Sequence, residues 1–199
     1  MKKINHLRAA IILAAILFLA IAPVANAQVP YQLSDSPEIA VKISGKSNIH
    51  DWAMTSVIMQ TRGKFKFNGN NLNDVTKLNF SLAAKSLKND HKTMDSRTYK
   101  LLNADKYPII SYRLSSATVS PLKQNKYLIK AKGELTIAGV TRTVSMDVTA
   151  IVNGDNTITC SGAENIQLTD YGMKPPTFML GAMKVYNDLV IQFNLIYKA

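Results

Sequence analysis

The sequence predicts an all-β protein, an antiparallel eight-stranded barrel with one short helix inserted between strands. Three observations carry that prediction. Beyond residue 35, apolar residues recur at every second position, the period of a strand with one buried face. Short turn signals, Ala138-Gly139-Val140 and Asn153-Gly154, join successive runs as hairpin links do. One segment, 90–106, abandons alternation for helical spacing. Long consecutive strands with hairpin links make an up-and-down barrel or a sandwich. Closure into a barrel also removes the edges through which such strands aggregate.

The runs follow in order. Ile39, Val41 and Ile43 alternate with Glu38, Ala40 and Lys42. Val57, Met59, Phe65 and Phe67 share one parity, while Gln60, Arg62, Lys64 and Lys66 hold the other. Leu78, Phe80 and Leu82 repeat the pattern, as do Ile110, Tyr112 and Leu114. Tyr127, Ile129, Ala131, Leu135 and Ile137 form the next inward row, then Val144, Met146, Val148, Ala150 and Val152. Ile158, Cys160, Ile166 and Leu168 follow, and Val185, Leu189, Ile191, Phe193 and Leu195 close the series. A twelve-residue strand spans roughly 40 Å, so several of these staves are long.

Within 90–106, Met94, Thr98, Leu101, Leu102 and Asp105 fall on one face of a helix of about three turns. Asn89 or Asp90 is the expected cap, and Tyr107-Pro108 the expected stop. A second irregular segment, 170–184, carries Gly172, Pro175, Pro176 and Gly181 among Tyr171, Met173, Phe178, Met179 and Met183. Phe178, Met179 and Met183 are placed to gate an opening.

Residues 1–27 read as a secretory signal peptide. Lys2, Lys3 and Arg8 precede an uncharged apolar run, and Ala25-Asn26-Ala27 supplies small residues before a cut. The run is shorter than the roughly 20 residues that span a bilayer. One domain, 28–199, remains, and its expected location is periplasmic or secreted. Taking three basic residues from 24 leaves 21 against 13 acidic, a net charge of +8. That charge suits an anionic membrane surface as a partner, or is a biased solvated exterior. A nucleic-acid partner is not expected. Cys160 is the only cysteine, so no internal disulfide forms, and no lipoprotein cysteine follows the cut. A lone strand cysteine reads as a small buried hydrophobe.

No catalytic or cofactor signature occurs: no G-x-S-x-G, H-E-x-x-H, P-loop or dinucleotide glycine motif. No cofactor or metal site is expected. His50-Asp51-Trp52 offers a base and a carboxylate, but adjacent strand residues face opposite sides, so the tripeptide reads as structural. Glu164 shares the parity of Ile158 and Ile166. A bulge that turns it outward is the expected solution, and a buried proton-sharing carboxyl is the alternative.

A barrel of eight strands has room for side chains alone or for one small ligand. The candidate ligand contacts are the inward residues Trp52, Phe65, Phe80, Tyr112, Met146 and Phe193, with Phe178, Met179 and Met183 at the opening. Burying one methylene yields about 0.8 kcal/mol, while association costs roughly 4–15 kcal/mol. A ligand held this way is therefore a long chain.

Four segments together resemble the YceI-like family of exported, lipocalin-like proteins. They are SNIHDW at 47–52, SLKNDHKTMDSRTYKLLNADKYPIISY at 86–112, GELTIAGVTRTVSMDV at 133–148 and LTDYGMKPPT at 168–177. The resemblance implies an extended barrel with a helix beside it and a long pocket for isoprenoid or other amphiphilic lipids. It implies no enzyme activity. Family members often carry an arginine two residues before the Asp of D-[FY]-G, and here that position is Leu168. No head-group site is carried over. The leading expectation is a carrier or sequestering protein. The alternatives are an envelope enzyme on a lipid or polysaccharide using His50, Asp51 or Glu164, and a basic interaction module with a filled barrel.

Overall fold

The structure, a computed structural model, describes residues 28–199, so the leader reading for 1–27 lies outside the described residues. The elements are β1 (Gln28–Leu33), β2 (Ala40–Ser47), β3 (Asp51–Ser56), β4 (Met59–Asn68), β5 (Asn71–Ala83), α1 (Lys92–Leu101) and β6 (Ile109–Lys123). β7 (Lys126–Ile137), β8 (Val140–Val152), β9 (Ile158–Gln167), β10 (Thr177–Phe178) and β11 (Met183–Lys198) complete the chain. Hydrogen bonding runs β1-β4-β5-β6-β7-β8-β9-β11 and returns from β11 to β1, closing a ring of eight strands.

The strand segments outnumber the staves because the first two staves are each broken in the middle. β1 pairs with β4 from Gln28↔Lys66 to Gln32↔Arg62, and β2 pairs with β3 from Val41↔Ser56 to Lys46↔Asp51. Chain 28–47 therefore runs as one kinked strand against chain 51–68. β11 pairs along the same kinked strand, first with β2 and then with β1 at Leu33↔Tyr197. The first kink is held where Ser34 N–H donates to Ile196 O at 2.8 Å and Asn194 Nδ2 donates to Glu38 O at 2.9 Å. At the second, the buried Ser56 hydroxyl donates to Ile58 O at 3.0 Å. Inward parity changes across that break: Met54 and Ser56 are buried in β3, Met59, Thr61 and Phe65 in β4. Val57, expected on the inward row, is 66% exposed for that reason.

The 138–139 link is the expected tight hairpin, with positive φ at both Ala138 (49°) and Gly139 (80°), as a primed turn demands. The Tyr107 ring lies against the Gly139 α-carbon, where any side chain would collide with it.

The helix has the expected length of about three turns but ends for another reason. Tyr107-Pro108 lies beyond its end, and a left-handed Asn103 (φ 48°) provides the stop. Asn103 N–H donates to Lys100 O at 3.1 Å and Ala104 N–H to Tyr99 O at 2.9 Å, the paired bonds of a Schellman ending. The cap position is His91, without a side-chain bond, rather than Asn89 or Asp90. Asn89 Oδ1 instead accepts from His91 N–H at 2.9 Å. The organising group is Asp95, 7% exposed, which accepts from Asn89 N–H at 2.8 Å and faces Lys88 Nζ at 3.3 Å. An acid in the first turn also suits the helix dipole. Asp95→Ala leaves the half-buried Asn89 N–H without its acceptor and is expected to cost about 1–2 kcal/mol, read as a lower urea midpoint with unchanged slope.

Candidate functional site

The ring encloses a cavity of about 120 Å³, with about 860 Å³ of atom-free space when its open side is counted. One water needs roughly 10–15 Å³, so the centre is hollow rather than filled. Alternation on every stave builds the wall. β4 and β5 supply Phe65, Val75, Leu78 and Phe80; β6 and β7 supply Tyr112, Leu114, Ile129, Ala131 and Leu135. β8 and β9 supply Met146, Val148, Cys160 and Glu164, β2 supplies Val41, and β11 supplies Ile191, Phe193, Leu195 and Tyr197. An apolar void of this kind stays dry and accepts apolar guests.

Five residues singled out in the sequence, Phe65, Phe80, Tyr112, Met146 and Phe193, line this cavity together. The other four stand apart from it. Trp52 lies across Gly45 beside Leu189 and borders a separate groove with Lys42, Asp51 and Tyr186. Its ring fills the place where a side chain at position 45 would stand. Phe178 stacks under the Arg97 guanidinium of α1 at 4.1 Å. Met179 is 69% exposed in a turn where it and Leu180 both take positive φ. Met183 pairs with Phe178 in the short β10–β11 ladder and is half-buried. The irregular segment thus packs partly on the helix and presents Met179 and Leu180 to solvent.

Glu164 departs from expectation. β9 keeps unbroken register with β11 from Ile158↔Tyr197 to Gln167↔Asp188. No bulge turns the carboxyl outward, and Glu164 lines the cavity, its only charged residue. Burial holds the Glu164 carboxyl above its ordinary value of 4.5. Tyr112 and Tyr171 are both buried, and neither hydroxyl has a partner among the described residues. Burial first, and the Glu164 charge second, push both phenols up to about 12. The Tyr112 ring has room because residue 133 is glycine: a Cβ there would come to 2.5 Å from the hydroxyl and 2.5 Å from Arg113 O. Sequence reasoning missed Tyr171 and Gly133 as parts of this corner. Their signal was the D-Y-G and G-E-L-T-I segments themselves.

The raised Glu164 value has a pH consequence. The folded chain keeps a proton where the unfolded chain has lost it, so stability falls as pH rises from the ordinary Glu value through the raised one. Glu164→Gln removes that loss. Relative to the parent, the variant is expected to melt higher near pH 7 than near pH 4, in paired thermal scans.

Cys160 also lines the cavity, and burial pushes its thiol up to about 12, which leaves it an inert hydrophobe. His50 is exposed at the β2–β3 turn, where Ser47 Oγ accepts from its N–H at 3.1 Å. Asp51 borders the separate groove and Glu164 the cavity, so neither His50 nor Asp51 lines the pocket that holds Glu164. Among the described residues, no three His, Cys, Asp or Glu side chains gather as metal ligands.

Two ladders of the ring are short. β5 pairs with β6 only over 79–83 against 109–113, and β8 with β9 only over 148–152 against 158–162. The second separation lies beside Glu164.

The model of the YceI-like domain matches residues 35–197. The chain belongs to the YceI-like family. Three solved structures are similar in fold. Burkholderia cenocepacia BcnA is 20% identical, with TM-score 0.61 over 79% of this chain and 94% of that one. A polyisoprenoid binding domain from Saccharophagus degradans, implicated in plant cell wall breakdown, is 13% identical, with TM-score 0.65 over 85% of this chain and 98% of that one. Campylobacter jejuni YceI protein is 18% identical, with TM-score 0.53 over 70% of this chain and 81% of that one. No curated protein matches the chain.

Proposed function

We propose that this YceI-like protein sequesters or carries a long-chain apolar ligand, an isoprenoid or other amphiphilic lipid, inside its barrel after export to the periplasm or beyond. The single observation that carries the reading is the hollow, almost wholly apolar centre. The binding named for the Saccharophagus degradans domain, which shares the fold, supports the same ligand class. No bond is made or broken. At about 0.8 kcal/mol per methylene against an association cost of several kcal/mol, a tail of roughly ten carbons or more is required. Met146, Phe80 and Phe193 have the rotatable side chains that let a narrow cavity widen around such a tail.

Exchange with a lipid surface fits the exterior. Ile49, Met179 and Leu180 are exposed apolar residues, and the turn carrying Ile49 is tied to the far segment where Asn48 Nδ2 donates to Ala182 O at 2.9 Å. Exposed Lys46 and Lys184 stand on the same two segments. The test of the carrier reading is displacement of a fluorescent apolar probe by prenyl alcohols of increasing length. Affinity that climbs with chain length and then levels off is expected. A flat response across lengths contradicts it.

A further inference from the structure

The cavity wall is apolar almost everywhere, so its few polar atoms define what the ligand's polar end meets. No Lys, Arg or His is among the lining residues; Glu164 is the one charged group. In the same lining is the Tyr112 hydroxyl, on a residue 9% exposed, without a hydrogen-bond partner among the described residues. The Tyr171 hydroxyl, on a residue 2% exposed in the turn after β9, is likewise unpartnered among the described residues. Gly133 leaves space for the Tyr112 ring, and the Glu164 charge acts on both phenols. A buried hydroxyl without a partner costs free energy, and such groups are rare enough to call for a partner. The wall therefore offers an acceptor, Glu164, and a donor, the Tyr112 hydroxyl, to a ligand's polar end.

We propose that Glu164 and Tyr112 form a polar subsite that selects amphiphiles with an uncharged, hydroxyl-bearing head over those with a carboxylate or phosphate head. The hydroxyl oxygen accepts from Tyr112 Oη–H, and its hydrogen goes to the Glu164 carboxylate. An anionic head brings a second negative charge beside Glu164, in a poorly screened interior with no cation in the lining to offset it. This rests on the carrier reading and adds the chemistry of the head.

Farnesol, farnesoic acid and farnesyl phosphate share one tail and separate the two claims. With detergent-free protein at neutral pH, farnesol is expected to bind at least about tenfold tighter than either anion, the size of one charge-assisted hydrogen bond. Glu164→Gln keeps the shape, removes the charge and is expected to narrow that gap to about threefold or less. Tyr112→Phe is expected to weaken farnesol several-fold and leave the anions unchanged. It stands in if Glu164→Gln does not fold. Equal binding of all three, or a ranking that neither variant alters, overturns the subsite and leaves the carrier reading intact. Binding of none of the three overturns the carrier reading and the subsite with it.

Discussion

Phe65→Ala is expected to destabilise the protein by about 3–5 kcal/mol, the range for truncating a buried aromatic. Phe65 is 1% exposed and sits edge-on to Tyr31 (centroids 5.1 Å apart) and to Tyr197 (5.4 Å). Those three rings come from β4, β1 and β11, the strands that close the ring. The β1–β11 ladder itself is only Gln32↔Lys198 and Leu33↔Tyr197, so aromatic packing supplies much of the closure there. Tyr197 is fully buried, and its hydroxyl finds Thr61 Oγ1 at 3.1 Å. Removing the Phe65 ring takes away the aromatic neighbour of Tyr197, leaves Tyr31 with Phe67 alone, and enlarges a cavity that Phe65 already lines. Domains of this kind hold about 5–15 kcal/mol in total, so the variant stands close to unfolding. Val57→Ala on the same stave, at a residue 66% exposed, is the control and stays within about 0.5 kcal/mol. Urea midpoints with constant slope give both values.

Ala131→Phe is expected to abolish binding of apolar chains, at least about a hundredfold loss, while costing at most about 1–3 kcal/mol of stability. Ala131 lies in β7 opposite Met146 and Ala117 and lines the cavity. A ring added there enters the hollow. Each methylene the ligand can no longer bury forfeits about 0.8 kcal/mol. Three or four are enough for the stated loss. Retained near-UV circular dichroism together with lost probe displacement separates plugging from unfolding. Retained binding means that the ligand does not lie along this part of the wall.

Period-two patterning made most of the barrel legible. β7 and the 144–152 part of β8 were readable because apolar residues keep one parity through them, and Ala138-Gly139 announced its own turn. β1 escaped notice although Val29, Tyr31 and Leu33 alternate. Pro30 argues against a strand, and the run is only six residues long. The β3–β4 break was invisible because a two-residue kink changes parity without a glycine or proline to mark it. Parity also explains the cavity's record. It tells which side of a wall a residue faces, and so found Phe65, Phe80, Tyr112, Met146 and Phe193. It does not tell how far along the barrel a residue sits, and so included Trp52. Phe178, Met179 and Met183 belong to a segment with no period, where tertiary contacts such as Arg97 on Phe178 decide placement. Glu164 obeyed its parity. Expecting a bulge overruled a signal that the backbone followed.

The most direct test of the hollow-barrel account is native mass spectrometry of the protein expressed from its full sequence and purified without detergent, before and after incubation with polyprenyl lipids. The account predicts a mass increment of one lipid per chain in the parent and none in Ala131→Phe. Recovery of only unliganded parent protein, even after incubation, contradicts it.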